Sequence, residues 1–174
     1  MRIVITSLCC ILASIIFVVC IKWDWSFILI PVLISLAVSL SNFDVISFPK
    51  KLTGILLHCF LSIVLFIVTI GTTVFILSPM GMYAMYVGSA LAAILFTLIT
   101  NIILTFSKFW ISMAIIIGLS LLVWPIADYM HAHPLSKFTL LNGRENIIII
   151  WSALVGFGVA LRVHYGKRNP DDNS

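Results

Sequence analysis

Six apolar runs occupy most of this chain, at residues 3–21, 25–42, 54–78, 83–106, 109–127 and 147–163, and no Asp, Glu, Lys or Arg lies near the centre of any of them. The hydrocarbon core of a bilayer is about 30 Å thick, which a helix of roughly 20 apolar residues crosses. Backbone polar groups in that layer must be satisfied inside the segment, so such runs select the α-helix. The expected fold is all-α: a polytopic helical membrane bundle of about six transmembrane helices with short loops, forming a single transmembrane domain over 1–174. Composition agrees, because 62% of the 174 residues are hydrophobic and only 9% are charged, against about 25% charged in soluble domains. That balance excludes a disordered chain, a secreted disulfide scaffold and a conventional soluble enzyme. Counts of four or five spans are the alternatives, since the second run is short and the turn at Ser78 is tight enough to hide a tilted segment.

The connectors set the topology. The first run ends in Cys20, Ile21, Lys22 and Trp23 rather than in an A-x-A-like cleavage site, so it reads as a permanent helix. Trp23 and Trp25 suit the interfacial belt. Phe43–Thr53, with Pro49 and the pair Lys50 and Lys51, reads as an interfacial loop, and Ser78, Pro79, Met80 and Gly81 form a turn that forces the third and fourth spans to pack antiparallel. Pro125 is expected to mark the exit of the fifth span, and the longest connector follows at about 128–146. Within it, Leu135, Phe138 and Leu141 recur at a spacing that suits a short amphipathic turn lying in the outer interface. With the N-terminus inside, the cytoplasmic set is Arg2, Lys50, Lys51, Lys108, Arg162, Lys167 and Arg168, against Lys22, Lys137 and Arg144 outside. The positive-inside rule therefore predicts N-in and C-in, and the setting expected is a bacterial cytoplasmic (inner) membrane. The net charge of +4 is accounted for by that asymmetry, with no nucleic-acid partner implied.

Inside a bilayer, helices associate through close backbone approach and interhelical hydrogen bonds, so small residues mark contact faces. The fourth span carries Ala84, Gly88 and Ala92 in one row and Ser89, Ala93, Thr97, Asn101 and Thr105 in another. The sixth repeats the device with Ser152, Gly156 and Ala160, and Ala114 with Gly118 is a weaker version in the fifth. These rows either hold one protomer together or face another copy or a partner protein. Cys9, Cys10, Cys20 and Cys59 all lie in apolar runs and read as packing residues.

Three groups of residues carry candidate chemistry. Asp128, His131 and His133 are a competent ligand set for zinc or a similar divalent ion, provided the chain there is extended or turned, because on a helix the two imidazoles point about 200° apart. Thr97, Thr100, Asn101 and Thr105 form a polar row that suits a pore, with Asn101 the most polar group inside a predicted span. His58, about one turn into the third span, reads as an interfacial histidine. Motifs for nucleotide binding, nucleophile elbows, zinc proteases and C-x-x-C redox sites are missing, and no catalytic residue is assigned. The leading expectation is a non-enzymatic membrane protein without a cofactor, surrounded by the lipid bilayer and working through recognition of a membrane-protein partner, as a toxin-immunity or phage-defence subunit or an accessory subunit of a membrane complex would. A small homo-oligomeric channel or transporter is the second reading, and a metal-dependent membrane enzyme or metal transporter the third.

Overall fold

The computed structural model describes residues 2–20, 28–81, 83–104, 106, 109–132 and 146–166. Among them the chain is helical throughout, without strands: α1 (Arg2–Cys20), α2 (Leu29–Ser41), α3 (Lys51–Gly71), α4 (Tyr83–Leu104), α5 (Phe109–Leu121), α6 (Val123–Ala132) and α7 (Asn146–Gly166). Three stretches, Lys51–Ile76, Tyr83–Leu104 and Phe109–Met130, are long and apolar enough to cross a membrane. Ile3–Val18, Leu29–Ser41 and Ile147–Leu161 are shorter apolar helices.

The ends of these helices follow local chemistry. The α-helix of the second run starts at Leu29, while residues 25–27 lie outside the described residues; this places Pro31 in the first turn, where its missing N–H removes no hydrogen bond. At 13 residues α2 is about 20 Å long, shorter than the three stretches long enough to cross a membrane. The segment after it winds through a 3-10 turn at Phe43–Val45 and folds back on the start of α3, so that a Cβ on Gly54 would meet Ile46 at 2.9 Å. Lys51 sits 4.9 Å over the Phe43 ring, and its Nζ donates to the Asp44 carbonyl at 3.4 Å. The far end of α3 widens into one π-helical turn, Thr72–Ile76. The chain then reverses through Ser78–Met80 and Gly81, whose φ of 59° and ψ of −129° suit only a residue without Cβ.

Pro125 does not end the fifth span. Leu122 interrupts the helix, and Pro125 stands in the first turn of a new segment, α6, which runs on to Ala132. A proline there is tolerated for the same reason as Pro31. Neighbours in sequence are neighbours in space from α1 to α5, and α7 closes the circle by packing on both α5 and α1. The fully buried Val38, Ile103, Ile116, Val155 and Val159 come from α2, α4, α5 and α7, so the core is shared around the ring. α3 is the peripheral helix, packed on α2 and α4 alone apart from slight contacts.

Candidate functional site

Two residues on α2 and two on α3 are spaced four apart in opposite order: Ser35 and Ser39 on one, His58 and Ser62 on the other. Residues four apart share a helix face, so antiparallel packing brings them together as two rungs. Ser35 Oγ donates to Ser62 Oγ at 2.6 Å, and Ser39 Oγ lies 2.7 Å from Nδ1 of His58. The other ring nitrogen, Nε2, is 3.3 Å from Oγ1 of Thr100 on α4. Thr100 spends its own proton on the Phe96 carbonyl, 2.7 Å away. Its oxygen is therefore the acceptor from Nε2–H, which leaves Nδ1 to accept from Ser39. His58 is completely buried and stacks on Phe96 at 5.6 Å between centroids, and Phe96 meets Trp151 of α7 edge-on at 6.1 Å. One imidazole thus joins α2, α3 and α4, and through Phe96 reaches α7. The histidine expected at the interface is an interior hub.

A second polar cluster closes the end of the bundle where α2 and α4 stop. Asn42, wholly buried, donates through Nδ2 to the Val38 carbonyl at 2.8 Å and to Thr6 Oγ1 of α1 at 3.2 Å, while its Oδ1 has no partner. Asn101 lies in the last turn of α4 rather than deep in it. Its Oδ1 accepts from the backbone N–H of Phe106 at 2.7 Å, which satisfies a donor just past the helix end. The N–H of Ser47 donates to the Ile103 carbonyl at 2.9 Å and ties the α2–α3 connector to the same place.

The remaining predicted positions divide as follows. Gly156 lies against α1, where a Cβ would come within 2.7 Å of Cys10 Sγ, and Ser152 and Ala160 are buried on the same helix. Gly88 faces the π turn, where a Cβ would meet Thr73 Oγ1 at 2.5 Å; Ala84 is buried beside it, and Ala92 lines a cavity. Ser89 and Ser120 exchange hydrogen bonds across α4 and α5, each hydroxyl reaching the other's carbonyl at 3.2 and 2.9 Å. Tyr86 and Trp124 meet one turn away, 6.0 Å apart. On α5 the buried row is Ser112, Ile116 and Ser120, whereas Ala114 and Gly118 face outward. Thr97 is buried with its hydroxyl on the Ala93 carbonyl at 2.6 Å. Thr105 lies outside the described residues.

Asp128 is exposed on α6, His131 belongs to the same helix, and His133 lies outside the described residues, as do Leu135, Phe138 and Leu141. Among the described residues no group of three His, Cys, Asp or Glu side chains is placed to hold a metal ion.

Beside the His58 hub is a cavity of about 380 Å³ between α2, α3, α4 and α7, lined by residues that include Ile34, Ser62, Phe66, Ala92, Phe96 and Trp151. It lies where α7, which reaches α1, α5 and α6 and touches α2 and α4, leaves a gap in front of α3. Sequence reasoning did not foresee it, since a void depends on how far apart the helix axes settle. No family model, curated protein or solved structure matches this chain.

Proposed function

We propose that the chain is a non-enzymatic six-span protein of a bacterial cytoplasmic membrane, with both termini cytoplasmic, that works by recognising another membrane protein. An immunity, phage-defence or accessory subunit would work in this way. The shorter helices α1, α2 and α7 complete the ring begun by the three long ones, and an even number of spans returns the chain to the side where its Lys and Arg residues are concentrated.

The observation that carries the reading is the flank of α3 that no other described residue covers. This helix packs mainly on α2 and α4, and Leu52, Leu56, Phe60 and Val64 stand in one exposed row at steps of four residues. The interior hydroxyls and the imidazole, by contrast, are matched to one another between helices. Specific chemistry thus holds the protomer together, while this apolar face of α3 offers a contact for a neighbour in the membrane.

Mass spectrometry of the assembly, extracted gently from its own membrane, tests the proposal. The expected result is a companion protein at fixed stoichiometry that is lost from the double variant Leu56→Ala, Phe60→Ala at unchanged expression and helical content. A chain that leaves the membrane alone, or only with copies of itself, overturns the proposal.

A further inference from the structure

We propose that the cavity between α3 and α7 is an acyl-chain site, which holds one hydrocarbon tail of a bilayer phospholipid. The inference rests on the chain being embedded in a membrane and is independent of any protein partner.

Size and length come first. At about 380 Å³ the cavity falls within the range of small-molecule sites, which run from roughly 300 to 1,000 Å³. It follows α3 from Ser62 to Ile70, a rise of about 12 Å. That is close to the depth of one leaflet, half of a hydrocarbon core about 30 Å thick. The space is elongated along α3 and open on one side, so that a tail can enter it from the bilayer.

Polarity then selects the occupant. The lining surface is almost entirely apolar, and its side-chain hydroxyls belong to Ser62 and Thr69. Ser62 Oγ already accepts from Ser35. A buried water needs two to four polar partners, so this space does not wet, and an apolar void of this size takes up a hydrocarbon instead. The Phe96 and Trp151 rings, set edge-on at 6.1 Å, form a rigid wall against which methylene groups pack. The His58 cluster adjoins the cavity through two of its lining residues, Phe96, on which the imidazole stacks at 5.6 Å, and Ser62, which is bonded to Ser35. A tail from the surrounding leaflet fits all of these terms, and the bilayer supplies it at very high local concentration.

Native mass spectrometry of the full chain, released from nanodiscs of a single phosphatidylglycerol species, reads the occupancy. The wild type should keep one lipid per chain at collision energies that strip the annular lipids. Ala92→Leu, which extends a side chain into the space, should lower that occupancy at least tenfold, and Phe66→Ala, which widens it, should retain the lipid. Helical content by circular dichroism identifies a variant that has failed to fold; if Ala92→Leu fails, Thr69→Leu fills the space from the α3 side and takes its place. A wild type that holds no lipid beyond the annular set overturns the proposal, as does a folded cavity-filled variant that keeps as much lipid as the wild type. Absence of a companion protein leaves it standing.

Discussion

Ser39 and His58 are joined by a hydrogen bond of 2.7 Å between a hydroxyl and Nδ1, and the direction of that bond is fixed from the other side of the ring. Because Thr100 gives its proton to Phe96, Nε2 must carry the hydrogen and Ser39 must donate. Of the two neutral tautomers the geometry selects Nε2–H. Nitrogen-15 NMR of histidine-labelled protein should report that form for His58, and a resonance pattern typical of Nδ1–H would contradict the assignment. Ser39→Ala leaves Nδ1 buried without a donor and should lower stability by about 1–2 kcal/mol, measured by unfolding in mild detergent.

At Gly156 α7 lies close against α1. A Cβ there would stand 2.7 Å from Cys10 Sγ and 2.9 Å from Cys10 Cβ, so even alanine forces the helices apart. Gly156→Ala should cost about 1–3 kcal/mol. Cys10→Gly in the same chain should recover part of that loss, which gives a non-additive double-mutant cycle. Simple additivity of the two changes would show that the helices do not meet at this contact.

Two further glycines should respond in opposite ways. Gly118 has open space where its Cβ would be, whereas a Cβ on Gly88 would press on the Thr73 side chain. Gly118→Ala is expected to be neutral or to stabilise by up to about 1 kcal/mol through helix propensity, while Gly88→Ala should lower the thermal midpoint. Equal effects would mean that the α4 contact with the π turn is not made.

Gly81 has open space around it, so substitution there isolates the backbone. With φ at 59° and ψ at −129°, Gly81→Ala should destabilise by about 1–3 kcal/mol without altering any side-chain contact. A variant as stable as the wild type would mean that the turn is not held in this conformation.

Much of the helical framework was legible because long apolar runs leave the backbone little choice. Lys51–Ile76 and Tyr83–Leu104 fall close to the spans expected at 54–78 and 83–106, and the turn at Pro79 and Gly81 lies where its residues placed it. The ends were harder to read, because Pro31 and Pro125 act as first-turn residues as readily as they act as breakers. Facing was harder still. Ala114 with Gly118 and Ser112 with Ser120 are both plausible small-residue rows, and only the positions of α4 and α7 decide that the second is buried. His58 was misjudged for a related reason. Its pairing with Ser39 is written as matching four-residue steps on two helices, and that signal means something only once those helices are known to be adjacent and antiparallel.

The closure of the ring by its first and last helices has a consequence for biosynthesis. During translation α1 is made well before α7, and although Thr6 meets Asn42 once α2 is in place, Cys10 finds Gly156 only when α7 emerges some 150 residues later. Until then the Cys10 side of α1 lacks the close partner that Gly156 supplies, and lipid cannot pack on it as closely as another helix can. A chain truncated before α7 therefore presents an unfilled seam along α1, and the α1–α7 contact forms only after every helix between them has been made.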